Sequence, residues 1–419
     1  MRTSIVILNW NGEGFLRKYI PSVVDSVRGI DGVEVVVADN ASEDGSIDLL
    51  KREFPQVRII LLDKNYGFAK GYNKALNQLE SEYFLLLNSD VEVPDDWFTP
   101  LQEWMDIHED CGMCGPKLLQ MDRRDCFEYA GAAGGYLDRF GFPFCRGRVL
   151  KMVEKDEGQY DIPAEVLWVS GAALMVRSSV FFRLGGFCDE FFAHMEEIDL
   201  CWRARLQGWK VNVVPRSRVF HLGGGSLPQD SPHKLYLNYR NNLLMLTRNL
   251  PKTLAIDYAF NLAGKATDSD EGPDMFENCV NIFNENGRRL LKEWAETTSL
   301  LGTNRAARII RTRMFLDILS SFAYLLKGKP SFMRAVFRAH RDFRKMRKKQ
   351  SLGKLRHYTR DILEGKRLDI ARTILTDKPA SGNMMSDTFG LKGMWNRMEV
   401  WQAITRKENI FNCIKDNLV

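Results

Sequence analysis

Residues 83–90 read Tyr83-Phe84-Leu85-Leu86-Leu87-Asn88-Ser89-Asp90, an unbroken run of apolar and aromatic side chains that gives way to three polar ones. A short run of this kind fits a buried strand, and the change at Asn88 marks its carboxyl end. Two upstream runs repeat the pattern. Residues 3–8 (TSIVIL) end in Asn9-Trp10-Asn11-Gly12, and residues 33–38 (VEVVVA) end in Asp39-Asn40-Ala41-Ser42. In an open α/β sheet, ligands bind outside the carboxyl ends of the strands. The three runs therefore predict one polar ligand edge.

Working outward, residues 3–8, 33–38, 57–62 and 83–87 are separated by segments of βαβ length, which predicts a mostly parallel sheet flanked by helices on both faces. Ser42 is read as the N-cap of a helix carrying Ile47, Leu49 and Leu50, and Pro94, Asp95 and Asp96 open another over residues 97–107. Residues 122–147, rich in Gly and Phe, read as an irregular loop or ribbon. Residues 172–176 read as a further strand, 196–207 as a helix stopped by Gly208, and 211–214 and 218–221 as short edge strands. Past Pro228 the chain turns helical: residues 234–249, ended by Pro251, then a polar link at 266–274 and a tract over 305–349 interrupted at 328–330. Residues 377–387 look like a loop before a last amphipathic helix. The expected division is an α/β domain over residues 1–250 and a mainly helical C-terminal extension over 251–419.

The chain has 419 residues, 45% hydrophobic and 27% charged, enough for a full catalytic core and an appendage. Its longest apolar stretch, 314–326, contains Asp317 and two serines and falls short of the about 20 residues that span a bilayer. The start has no apolar segment followed by a small-residue cleavage site. Together these predict a cytoplasmic protein without a membrane crossing. Eight cysteines without paired spacing fit a reducing compartment. Cys111 and Cys114 form a C-x-x-C, but no second close pair or His follows at ligand spacing, so buried thiols are expected rather than a zinc site. The net charge of +5 is unevenly placed, with sixteen Lys and Arg against two Asp between residues 305 and 356.

Further motifs follow in a fixed order: Asn65-Tyr66-Gly67-Phe68-Ala69-Lys70-Gly71-Tyr72-Asn73, Trp168-Val169-Ser170-Gly171-Ala172, Glu196-Glu197-Ile198-Asp199-Leu200-Cys201-Trp202-Arg203, and His221 before Gly223-Gly224-Gly225-Ser226. In order and spacing these segments resemble family-2 glycosyltransferases, in particular the bacterial rhamnosyltransferase-like branch, over residues 1–250. The resemblance implies a GT-A-type fold. It also implies sugar transfer, with inversion, from a nucleotide-sugar donor such as dTDP-rhamnose or a UDP-hexose. The implied acceptor is a hydroxyl of a growing or lipid-linked glycan in cell-surface polysaccharide synthesis.

The resemblance also assigns residues. It places Asp39 at the base, where a carboxylate accepts from the imide N–H of uracil or thymine; a strand-end Asp also caps a turn. Gly67 and Gly71 let backbone approach a nucleotide. Asn9, Asn11, Asn40, Asn65, Asn73, Asn88, Ser89 and Gly171 complete the nucleotide-sugar set. Asn88-Ser89-Asp90 stands where the family has Asp-x-Asp, so Asp90 alone carries the charge for Mg²⁺ or Mn²⁺, and metal affinity without nucleotide should be weak. An Asp in a type I turn is the plainer reading. His221 is a further metal ligand, a hydrogen-bond partner of the diphosphate, or a packed side chain. Glu197 falls at the general base, with Glu196 and Trp168 on the acceptor side. Acids in a first helical turn also complement the helix dipole, and Trp168 also suits a core. Asp199 and Arg203 are expected to pair four residues apart on the helix.

The basic tract interleaves Phe315, Phe322, Tyr324, Phe332, Phe337 and Phe343. It suits an anionic membrane surface, placing the protein peripherally on the inner leaflet, or a solvated helix face. No nucleic-acid reader motif accompanies it, and no nucleic-acid partner is expected. Two other classes stay open. A sugar-nucleotidyltransferase would want a Gly-rich basic loop where Asn9-Trp10-Asn11-Gly12 stands, and a degenerate sugar-nucleotide-binding or scaffold protein is suggested by Asn88.

Overall fold

The computed structural model describes residues 1–149, 152–223, 231–267, 285–347, 354–356 and 359. The four expected strands form as β1 (Thr3–Asn9), β2 (Val33–Asp39), β3 (Arg58–Leu61) and β4 (Tyr83–Leu87), all parallel, in the spatial order β4-β1-β2-β3. The crossovers between them are α1 (Glu13–Ser26), α2 (Ser46–Glu53) and α3 (Gly67–Leu76). Alternation along β4 explains the two-layered core. Phe84 and Leu86 enter one cluster with Tyr72 of α3, while Tyr83, Leu85 and Leu87 enter the other with Leu16 and Ile20 of α1 and Leu49 of α2. Each fully buried Leu or Phe here contributes about 1.5–3 kcal/mol.

The sheet continues through β5 (Val91–Glu92), α4 (Phe98–Ile107) and β6 (Cys111–Gln120). Residues 122–147, expected to be irregular, start a small antiparallel sheet of β7 (Gly135–Leu137), β8 (Pro143–Cys145), β9 (Arg148–Val149) and β10 (Met152–Val153). Strands of two or three residues are too short to show periodicity in the sequence. Next come β11 (Ala164–Glu165), β12 (Ala173–Arg177), α5 (Ser178–Arg183), α6 (Glu196–Arg205) and β13 (Lys210–His221). The main sheet runs β11-β13-β6-β12-β4-β1-β2-β3, with β5 also on β13. The expected α/β architecture of a mostly parallel sheet flanked by helices is therefore present, and β12 lies antiparallel between β4 and β6. The two short edge strands expected at 211–214 and 218–221 are instead one twelve-residue strand inside the sheet, irregular in register between Val213 and Arg218.

Three helices complete the described chain: α7 (Pro232–Thr267), α8 (Glu285–Leu326) and α9 (Pro330–Met346). Pro251 does not end α7 as its chemistry suggests. A mid-helix proline costs about 3 kcal/mol, but Leu243, Leu244, Leu246, Leu250 and Leu254 lie in the main core on either side of it, and their burial outweighs that cost. Gly302 of α8 sits where an added Cβ would meet the Pro251 carbonyl at 2.8 Å, so glycine permits the close approach of these two helices. Gly328, with φ 69°, makes the turn between α8 and α9. The expected loop at 377–387 and the last helix lie outside the described residues, as do Gly224, Gly225 and Ser226. Among the described residues, no helix is long and apolar enough to cross a membrane. Cys111, Cys114, Cys126, Cys145, Cys188 and Cys201 are buried free thiols.

Candidate active site

The carboxyl ends of β1 and β2 meet side by side, as Asn9 and Asp39 are register partners. Asn9 Nδ2 donates to Asp39 Oδ2 at 2.9 Å, and Ser42 closes the turn with its hydroxyl on Asp39 Oδ2 (2.6 Å) and its N–H on Oδ1 (2.8 Å). Ser42 is therefore not the N-cap of α2, which begins four residues later at Ser46. Its hydroxyl instead accepts from the Asn11 N–H at 2.9 Å and ties the two strand-end loops together. Asp39 Oδ1 keeps acceptor capacity beyond the Ser42 N–H. The Asn9 Oδ1 atom is buried without a hydrogen-bond partner. Beside them, Asn40 donates to Asn65 Oδ1 and the Gly67 carbonyl and accepts from the Tyr66 N–H. Gly67 has φ 74° and lies under the Phe192 ring, where a Cβ would stand 2.4 Å from a ring carbon.

At the end of β4, the Asn88 N–H donates to the Ala172 carbonyl at 2.9 Å, and Ser89 and Asp90 form a turn into β5. Pairing of Val91 with His221 then brings the end of β13 beside Asp90. His221 Nε2 lies 3.3 Å from Asp90 Oδ1, and its Nδ1 faces Glu128 Oε1 at 3.6 Å; all three side chains are buried. Burial opposes a charge on the imidazole, but without a cation the two carboxylates outweigh it and push His221 up to about 10; a divalent ion bound here would take the place of that proton. Two donors each ~2.1 Å from one ion stand about 3 Å apart, so the Asp90–His221 pair fits a shared divalent cation. Glu128 faces the other ring nitrogen, where a carboxylate orients a ligating histidine. Among the described residues, no three His, Cys, Asp or Glu side chains converge into a preformed metal cage.

Glu196 and Glu197 start α6 directly after a contorted turn. Phe192, His194 and Met195 all have positive φ (65°, 71° and 72°), a backbone state that costs non-glycine residues roughly 1–3 kcal/mol each. Helix α7 holds the turn in place. Asn241 Nδ2 donates to the carbonyls of Phe191 (2.9 Å), Ala193 (2.8 Å) and His194 (2.8 Å), and Arg240 donates to those of Glu190 and Phe191. The Phe68 and Ala69 N–H groups reach the Phe192 carbonyl from the other side. Glu197 Oε2 is left without a hydrogen-bond partner, and burial pushes its carboxyl up to about 7. An added Cβ on Gly171 would lie 3.4 Å from the Glu197 Cβ and 3.6 Å from the Phe68 ring. Gly171 thus lies against the Glu197 side-chain stem while the neighbouring Ala172 carbonyl accepts from the Asn88 N–H, so residues 171–172 border both the start of α6 and the end of β4. Glu196 is buried, and its carboxyl is held well above the usual range by burial and by Glu197.

Residues 4–124 match the model of glycosyl transferase family 2. This chain carries a family-2 glycosyltransferase domain. An N-acetylglucosaminyl-diphospho-decaprenol L-rhamnosyltransferase of Mycobacterium tuberculosis is 25% identical over 256 residues, covering 58% of this chain and 83% of that protein. A low-salt glycan biosynthesis hexosyltransferase, Agl10, of Haloferax volcanii is 24% identical over 251 residues, covering 58% of this chain and 74% of that protein. Among solved structures, GalNAc-T7 with UDP, GalNAc and Mn²⁺ superposes with a TM-score of 0.47 at 17% identity, covering 59% of this chain and 47% of that one.

The matched segment holds Asn9, Asp39 and Asp90, whereas Glu128, Glu197, His221 and Asn241 lie beyond it. Two of the expected site residues are committed elsewhere. Trp168 is 2% exposed, with its ring against Gly135 and its N–H on the Tyr136 carbonyl, so it is a core residue with no face left for a sugar. Asn73 spends its amide on Phe187 and Asp189 and fixes the turn before Glu190 instead of reaching the nucleotide edge. Asp199 pairs with Arg203 at 2.7 Å as expected and also accepts from Asn249 of α7 at 2.8 Å. Glu128, Arg240 and Asn241 were not singled out by the sequence. Only the run Arg240-Asn241-Asn242 amid the leucines of α7, three polar residues on a helix otherwise ready for the core, gave any signal.

Proposed function

We propose that this glycosyltransferase moves a sugar, with inversion, from dTDP-rhamnose or a UDP-hexose to a hydroxyl of a growing or lipid-linked glycan. The observation that supports this best is Glu197, a carboxylate at the start of α6 with an unpartnered oxygen and a proton affinity near neutrality, its stem against Gly171. A base in that state takes the acceptor hydroxyl's proton as the hydroxyl oxygen attacks the anomeric carbon and the bond from that carbon to the diphosphate oxygen breaks. Direct displacement of this kind inverts the configuration. Asp39, Asn40 and Asn65 form the edge for base and ribose. Asp90 and His221 would hold Mg²⁺ or Mn²⁺, which supplies Lewis-acid stabilisation of charge on the leaving diphosphate. Glu128 keeps the His221 ring oriented. The rhamnosyl and hexosyl activities of the two similar proteins favour these donors, and polysaccharide assembly is the setting they suggest.

The decisive experiment incubates purified full-length protein and Glu197→Gln with UDP-sugars and dTDP-rhamnose and follows release of the nucleoside diphosphate. Turnover by the parent, lost in the variant, is expected. No release of any nucleotide on prolonged incubation would leave a sugar-nucleotide-binding protein in place of an enzyme.

A further inference from the structure

Helix α8 is inside out over its last four turns. Its buried side there carries Arg313 and Asp317, 4% and 0% exposed, and Ser321. Arg313 donates to Asp317 Oδ1 at 2.8 Å, to Asn242 Oδ1 at 2.7 Å and to the Gly141 carbonyl at 3.1 Å, and His340 of α9 lies 3.2 Å from Asp317 Oδ2. The opposite side presents Phe315, Leu319, Phe322 and Leu326, which are 59%, 50%, 50% and 88% exposed. Spacings of four, three and four residues put these side chains in one stripe along the helix. A helix packed on a protein body with its outer face in water would bury that stripe and expose the charges. The reversal marks an outer surface built to meet an apolar medium.

The charges around the stripe identify the medium. Arg308 and Arg311 stand on the same face two turns and one turn before Phe315, and Lys327 follows Leu326. Between residues 297 and 327 the only acid is Asp317, and it is buried. A second copy would bring like charges together, whereas an anionic bilayer attracts these cations and accepts the apolar side chains at its headgroup boundary. The basic helix α9 does not offer the same thing. Its apolar residues Phe332, Ala335, Val336, Ala339 and Phe343 are used inside the bundle, and its exterior carries Arg334, Arg338, Arg341 and Lys345 with Phe337, 43% exposed, as a single large apolar side chain and no stripe. We propose that the Phe315–Leu319–Phe322–Leu326 stripe of α8, flanked by Arg308, Arg311 and Lys327, is the surface by which this protein seats on an anionic membrane. The proposal draws only its purpose, access to a lipid-linked acceptor, from the proposed function.

The test is flotation of the full-length protein with phosphatidylcholine vesicles and with vesicles of equal phosphatidylcholine and phosphatidylglycerol. The parent is compared with Phe315→Ser/Leu319→Ser/Phe322→Ser and with Arg308→Glu/Arg311→Glu. The parent should float with the anionic vesicles alone. Both variants should lose at least ~10-fold of that binding while keeping the parent's melting temperature and its release of nucleotide from the sugar donor in solution. Parent-like flotation of the triple variant overturns the proposal. So does a parent that ignores vesicles but sediments as a dimer dissolved by the triple substitution, which makes the stripe a contact between copies. Nucleotide release is read in the same samples, so failure of the enzymatic reading and failure of the membrane surface are separate results.

Discussion

The side-chain nitrogen of Asn241 lies 2.8 Å from the carbonyl oxygen of His194, two residues before the paired acids of α6. A residue of the C-terminal helices thus holds the strained turn that delivers Glu197. Asn241→Ala takes the side-chain donor from the Ala193 and His194 carbonyls, that of Phe191 keeping Arg240, and each unsatisfied buried group costs about 1–3 kcal/mol. Turnover is expected to fall at least ~10-fold with little change in the KM for donor, since the nucleotide edge is built from β1, β2 and α3. Asn241→Asp, which keeps the shape but loses the donor, should behave like the alanine variant. Steady-state kinetics with circular dichroism as the check on folding decide it; an unchanged kcat in both variants removes Asn241 from catalysis.

Glu197 should set the pH profile. A base works deprotonated, so kcat/KM is expected to rise with pH, reach half its limit near about 7 and then level off. Glu197→Gln should lower turnover by about 10²–10⁴ and abolish that inflection. An inflection that survives the substitution assigns the base elsewhere.

Glu196 offers a stability test with a definite sign. Burial and the neighbouring Glu197 raise its folded pKa above the ordinary 4.5, so the folded protein holds this proton more tightly than the unfolded chain does. The resulting stabilisation is complete below the unfolded value and is lost as pH rises through the folded one. Glu196→Gln cannot ionise and escapes that loss. Thermal melts should show the variant gaining on the parent by several degrees as pH rises above the ordinary carboxylate range. Parallel curves for the two proteins would show that Glu196 does not titrate abnormally.

Metal and nucleotide should bind together. Asp90 and His221 supply two protein donors, too few to hold Mn²⁺ firmly without oxygens from a diphosphate. Calorimetric titration of Mn²⁺ into the apoprotein should give little heat, and titration in the presence of UDP or dTDP should give a clear isotherm that Asp90→Asn removes. Tight binding without nucleotide would contradict the two-donor site.

The nucleotide edge could be read from sequence because its cause is local. A buried strand that stops at a polar residue places that residue at the sheet edge, and Asn9, Asp39 and Asp90 all obey this rule. Glu128 and Asn241 escape such reading, as their importance comes from strand pairing and helix packing with residues far along the chain, His221 for Glu128 and Phe191 to His194 for Asn241. Pro251 shows local chemistry overruled by burial, and Ser42 a good capping residue taken up by a neighbouring carboxylate. Trp168 presented equal cases for core and sugar, and the close fit against Gly135 decides for the core.

Helix α7 carries Asn241 to the Glu197 turn, Asn249 to Asp199 and Thr253 to the Trp202 indole, so it is riveted to α6 on both sides of Pro251. A chimaera that exchanged the C-terminal helices to redirect the enzyme to another acceptor would have to keep this helix with the catalytic half and make its join beyond Thr253. Joined at residue 250, the hybrid would retain the grip on Glu197 but leave the Trp202 N–H without its partner.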